Sequence, residues 1–308
     1  MAKRKKSITP KSDTKVVAIV IGLFAAAIIL FFIFTKSKES AKENVPTTNG
    51  PVEVSAPVEN NKPAEAELTY TPQPVAEEPQ ENVSGRGARV AIILDDWGQS
   101  TISCKYLREI PEPLAVSILP GLRHTKDVAN CAKMYHKLTM LHLPLEAMHN
   151  YDFYPPNYII KTSMSPSLVS QIVVQDLDQL PSIEGVNNHM GSKATGDRAL
   201  MKIIFRIIRK KGLFFVDSMT SRYSVSAALA DEMGLAYGKR DVFLDNLNNK
   251  EAIAKQFMVL AQKARRRGYA VAIGHDRPVT MKILKEEISW LESQGIQIVS
   301  IKDLLKHR

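Results

Sequence analysis

The chain has 308 residues, 44% of them hydrophobic, and a formal net charge of +9, which is enough for one or two globular domains. The charge is not one patch: residues 1–42 are strongly basic, 43–83 strongly acidic and the remainder basic again. With no Arg/Lys stripe interleaved with aromatics, no zinc-finger spacing and no RNP pattern, nucleic acid is excluded as a partner.

A basic tail occupies residues 1–15, and an uncharged apolar run follows over residues 16–34. Nineteen residues at 1.5 Å rise cover a hydrocarbon core of ~30 Å. The run is too long for the apolar region of a cleavable signal peptide, and no small-x-small site follows it. It reads as a single transmembrane anchor. The basic residues before it keep that end in the cytoplasm. The chain is therefore expected to be a single-pass protein of the inner membrane, with everything after residue 34 on the periplasmic side. Residues 35–87 are rich in Pro, Glu, Asn, Thr and Ala and nearly free of aromatics. Such a stretch cannot bury enough apolar surface to offset its ordering entropy and is expected to be a disordered linker.

Residues 88–308 alternate short apolar runs with amphipathic stretches. Strands are expected at 90–94, 114–117, 139–143, 183–187, 213–216, 269–273 and 296–299. Helices are expected at 102–110, 125–137, 165–180, 197–211, 224–233, 249–267 and 280–293. Ser165 before Pro166 marks a helix start, and Gly212, Gly234, Gly268 and Gly295 mark helix ends. Repeated βα units imply a parallel sheet backed by helices. Their number suits a distorted (β/α) barrel of about seven strands, with an open doubly wound sheet as the runner-up. Cys104 and Cys131 form no metal-binding spacing. Free thiols on helices are the favoured reading, with a disulfide as the alternative in an oxidising compartment.

The reactive residues fall at strand ends. Asp95 and Asp96 end the first strand, and His142 lies near the end of the third. Asn187, Asn188 and His189 end the fourth, Asp217 and Ser218 the fifth, and His275 and Asp276 the strand at 269–273. In a parallel barrel these ends converge on one face, where active sites lie. Two adjacent carboxylates repel unless a cation or a proton intervenes. One Asp with two His suits a divalent ion such as Zn²⁺ with a position left open for water. The second Asp can then serve as general base and a separate imidazole as general acid.

The segments 92–98, 142–146, 186–192, 215–218 and 273–278 together resemble the divergent polysaccharide deacetylase family, which is related to the NodB-type carbohydrate esterases. The resemblance spans about residues 88–305. It implies a distorted (β/α) barrel and metal-dependent removal of N- or O-acetyl groups from an envelope glycan such as peptidoglycan. It further implies Asp95 as general base, Asp96 and His142 as metal ligands, His275 as general acid, and Asp217 as the group orienting His275 or its neighbours. The second His of the esterases' HxxxH motif is Glu146 here. Either Glu146 or His189 completes the metal set, and His189 is favoured. An alternative is a catalytically inactive envelope protein that binds a glycan or a partner with the same fold.

Overall fold

The structure is a computed structural model that describes residues 87–149, 158–180 and 182–306. The basic tail, the expected anchor and the expected linker through residue 86 lie outside the described residues, as do residues 150–157. Among the described residues no helix is long and apolar enough to cross a membrane.

The βα alternation is present in chain order. The first half runs β1 (Arg89–Trp97), α1 (Cys104–Glu109), β2 (Ala115–Ile118), α2 (Thr125–Met134), β3 (Leu138–Leu145), α3 (Pro166–Asp178) and β4 (Gly185–Met190). After a 3₁₀ turn come α4 (Arg198–Lys210), β5 (Phe214–Asp217), α5 (Ser226–Met233), β6 (Tyr237–Lys239) and β7 (Val242–Phe243). The chain ends with α6 (Lys250–Arg267), β8 (Tyr269–His275), α7 (Pro278–Ser293), β9 (Gln297–Ile298) and α8 (Ile301–Lys306). The local signals act as read. Ser165 accepts from the Leu168 N–H at the head of α3, Asp197 caps α4, and Gly234 and Gly268 end α5 and α6 in left-handed conformation.

Every strand pair is parallel, in the order β6-β5-β4-β3-β2-β1-β8-β7, with β9 added beside the start of β1. A doubly wound sheet reverses its strand order at a switch point. Here the order runs on without reversal until β8 follows β1, as staves around a barrel do. The ring is not fully hydrogen-bonded. β6 pairs with β5, β7 pairs with β8, and only Arg240 and Asp241 separate them in sequence. The run 237–243 therefore crosses from one sheet edge to the other, which is the distortion in the barrel.

Alternation along each strand divides the core into two layers. Val90, Ile92, Leu94, Val116, Leu141, Leu143, Val186, Phe215, Ala270 and Ala272 pack in the larger cluster against the helices. Ala91, Ile93, Ala115, Met140, Phe214, Val216, Val271 and Ile273 form the inner cluster, joined by Ile301 and Leu304 of α8. Strands buried on both faces must be apolar at nearly every position. This is why they read as continuous apolar runs. Continuing the inner phase toward the strand ends gives Asp95 on β1, Ser117 on β2, His142 on β3, Asn187 and His189 on β4, and His275 on β8.

Cys104 on α1 and Cys131 on α2 are joined in a disulfide. The expectation of two free thiols is thereby corrected. The two helices follow β1 and β2 and pack together, which brings positions 27 residues apart to a Cα–Cα distance of 6.2 Å, within reach of a bridge.

Candidate metal centre and catalytic cavity

Adjacent residues of a regular strand point to opposite faces, so Asp95 and Asp96 should not share a cavity. A bulge resolves this. Leu94 stands opposite Val116 and Trp97 opposite Ile118, so two residues of β1 face the single Ser117 of β2. Asp96 sits in the bulge with φ of 65°. A bulge re-aims one side chain and is common beside active sites. Both carboxylates consequently line one cavity of about 420 Å³, together with His142, His189, His275, Arg240 and Phe243. A larger hollow of about 800 Å³ opens at the starts of the strands, around Leu114, Leu138 and Glu184. Of the titratable strand-end residues expected to act, it holds none. The smaller cavity holds Asp95, Asp96, His142, His189 and His275.

Asp96, His142 and His189 meet there. Asp96 Oδ1 lies 3.2 Å from His142 Nε2 and 3.0 Å from His189 Nδ1, and the two ring nitrogens lie 3.2 Å apart. Asp96 Oδ1 is buried yet takes no well-aligned hydrogen bond. Three donors this close, one of them a carboxylate oxygen without a proper donor, have the geometry of one face of a coordination shell. Their spacing suits a cation about 2.0–2.2 Å from each. The described residues contain this one group with metal-ligating geometry. Burial raises the Asp96 pKa, but the two imidazoles more than offset that and hold the carboxyl well below the usual carboxylate range.

Glu146, the other candidate ligand, is engaged elsewhere. It accepts from the Thr162 N–H and hydroxyl, each at 2.7 Å, and from Lys193 Nζ at 2.9 Å. It ties the chain after β3 to the chain after β4.

Asn187 orders the centre from behind, a role its motif alone did not reveal. Its Oδ1 accepts from the Ser117 hydroxyl and, at 2.9 Å, from His142 Nδ1. Its Nδ2 donates to Asp95 Oδ1 at 2.8 Å. With Nδ1 of His142 donating, Nε2 presents its lone pair to Asp96 and His189. Outer partners of this kind fix a metal-binding imidazole in one tautomer. Asp95 is buried, 2% exposed, with Oδ2 3.7 Å from His142 Nε2. Burial raises its pKa against the pull of His142, His275 and Asn187.

His275 faces the same cavity, its Nε2 3.9 Å from Asp96 Oδ2. Its Nδ1 lies 2.7 Å from Asp245 Oδ1, and its backbone N–H donates to Asp245 Oδ2. Thr280 also donates to Asp245. Burial raises the Asp245 pKa, but His275 and Thr280 outweigh it and hold the carboxyl down. The carboxylate on His275 is therefore Asp245, where Asp217 was expected. Asp217 instead accepts from the Met219 N–H at 2.7 Å and from the Ser224 hydroxyl at 2.5 Å. The reason is strand phase. Val216 belongs to the inner layer and Phe215 to the outer one, so Asp217 takes the outer phase and shapes the turn after β5. Its neighbour Ser218 lines the cavity.

Tyr158, in the chain after β3, packs its ring against the Gly121 turn. A Cβ at Gly121 would lie 2.2 Å from that ring.

The model of the divergent polysaccharide deacetylase family matches residues 92–305. An uncharacterized protein of Haemophilus influenzae is 30% identical over 220 residues, covering 71% of this chain and 78% of that one. The uncharacterized protein YibQ of Escherichia coli is 28% identical over 200 residues, or 65% of this chain, and the match spans 62% of that relative's length. The crystal structure of an uncharacterized protein, ATU2773 of Agrobacterium tumefaciens C58, shares the fold with a TM-score of 0.65. Its identity is 21%, over 73% of this chain and 92% of that one.

Proposed function

As the chain belongs to the divergent polysaccharide deacetylase family, we propose that its cavity hydrolyses N- or O-acetyl groups on an envelope polysaccharide such as peptidoglycan. One observation carries this reading: Asp96, His142 and His189 converge on a single point, with a second carboxylate and a third imidazole beside it. Asp96, His142 and His189 would hold the divalent ion, and their one-oxygen, two-nitrogen donor set suits Zn²⁺. When bound, such an ion lowers the pKa of a water molecule toward ~7 and polarises a carbonyl oxygen.

The chain's own residues supply the remaining steps. Asp95 takes the proton of the attacking water, with Asn187 steadying its other oxygen. His275 delivers a proton from Nε2 to the departing amine or alkoxide, while Asp245 holds Nδ1. Met190, Met219, Phe243 and Ile273 line the cavity around these groups and limit water, which strengthens the charge interactions within.

The reading places the domain on the periplasmic side of the inner membrane, tethered by residues 16–34. The Cys104–Cys131 bond supports this location, because disulfides persist in oxidising compartments and are rare in the cytosol.

The test is acetate release from peptidoglycan fragments by the full chain in detergent, with Asp95→Asn as control. Metal-dependent release that falls sharply in the variant supports the reading. Release that survives complete metal stripping contradicts it. Metal retained with no release from any glycan favours a non-catalytic binding role.

A further inference from the structure

The cavity holds one cation that the reaction above does not use. Arg240 lines it alongside Asp95, His142 and His275. Its Nε donates to the Ser218 carbonyl at 2.7 Å and its Nη2 to the Met219 carbonyl at 3.0 Å. The guanidinium carbon stands 4.7 Å from the centre of the Phe243 ring. Two backbone acceptors and one ring fix the plane of the group. A guanidinium carries five N–H donors, and these two bonds leave Nη1 uncommitted among the described residues.

Asp95, Asp217 and Asp241 all act on it electrostatically, but among the described residues none of them forms a direct ion pair with it, whereas Arg267 pairs with Asp241 at 2.7 Å. A half-buried charge with no carboxylate in direct contact is costly. Its backbone anchors hold it in place at that cost.

Resting on the deacetylase reading of the same cavity, we propose that Arg240 selects an acetylated sugar that carries a carboxylate beside the acetyl group. The planar Nη1/Nη2 edge matches a carboxylate in two parallel hydrogen bonds. Among the described residues Arg240 is the one guanidinium or ammonium lining the cavity, and Asp95 and Asp96 line it too. A single positive group among acidic ones fits a singly charged carboxylate better than a phosphate dianion.

The experiment compares two probes that differ only in charge: a peptidoglycan disaccharide with its free lactyl carboxylate, and the methyl ester of the same sugar. Acetate release is measured as kcat/KM for the full chain. The acid should be preferred about ten-fold or more. Arg240→Gln should bring that ratio close to one, and Arg240→Lys should restore part of it. Equal use of acid and ester by the unaltered chain overturns the proposal. So does a glutamine variant that slows both sugars alike, since Arg240 would then act through Asp95. If neither sugar releases acetate, the deacetylase reading fails by itself. Calorimetric affinities for the same two sugars then decide the selectivity, with the same ratios expected and the same outcomes fatal.

Discussion

The two sides of the cavity are built on different principles. On the β1, β3 and β4 side, regular parallel strands deliver Asp95, His142 and His189 by simple alternation, and one bulge adds Asp96. Side chains there hold other side chains, with Asn187 bonded to Ser117, His142 and Asp95. On the β6 to β8 side, the chain crosses between sheet edges and places Arg240, Phe243 and Asp245 within six residues. Backbone groups carry much of the holding there, through the carbonyls of Ser218 and Met219 and the N–H of His275. On the proposed reading, the regular side positions a cation by convergence of distant segments, and the irregular side orients one imidazole and one guanidinium toward the substrate.

The sharpest way to break this division is to alter one side at a time. Asp95→Asn should lower kcat by about 10²–10⁴-fold, the range for losing a general base, while metal content stays at the level of the unaltered chain. Loss of both together would merge the base with the metal centre. On the other side, Asp245→Asn should lower kcat by about 10–100-fold, as expected when an imidazole loses its orienting carboxylate, and should change the basic limb of the pH profile. Asp217→Asn should leave that limb in place and instead lower Tm, since Asp217 braces the turn after β5. The reverse pattern in rate and Tm would return the orienting role to Asp217.

Two smaller effects belong to the helices that back the regular side. Replacing Cys104 and Cys131 together with Ser opens a 27-residue loop and should cost about 3–4 kcal/mol by chain entropy, read by denaturant unfolding. Asp176 on α3 is buried, with Oδ2 lacking any hydrogen-bond partner among the described residues. Burial lifts its pKa from 3.8 to about 7. The folded chain then binds more protons than the unfolded one between those values, so this group's contribution to stability declines as pH rises through that window. Asp176→Asn should remove that decline and stabilise the chain at pH 8 by about 1–3 kcal/mol. Melting curves of both proteins at pH 4.5 and pH 8 read the difference. An equal pH dependence in the two would show that Asp176 keeps an ordinary pKa.

The same division explains what could be read from sequence. The barrel, its helix caps and the strand-end positions of Asp95, His142, His189 and His275 follow from apolar runs of fixed period. The segment between α5 and α6 has no such run. β6 and β7 are three and two residues long, too short to register as periodicity, so Arg240 and Asp245 went unassigned. Asp217 meets Met219 and Ser224 instead of His275 for a related reason: its place at a strand end is visible in sequence, but its face depends on the phase of a four-residue strand. The disulfide needed the packing of α1 on α2, which spacing alone does not show. Sequence leaves both Glu146 and His189 open; in the fold Glu146 accepts from Thr162 and Lys193, whereas His189 stands beside Asp96 and His142.

Metal binding by single-residue variants of the full chain tests the central claim most directly. Titrated with Zn²⁺ after chelation, the unaltered chain and Glu146→Gln should each bind one ion tightly, whereas Asp96→Asn, His142→Ala and His189→Ala should each lose most of that affinity. Undiminished binding by His189→Ala, or its collapse in Glu146→Gln, would contradict the assignment.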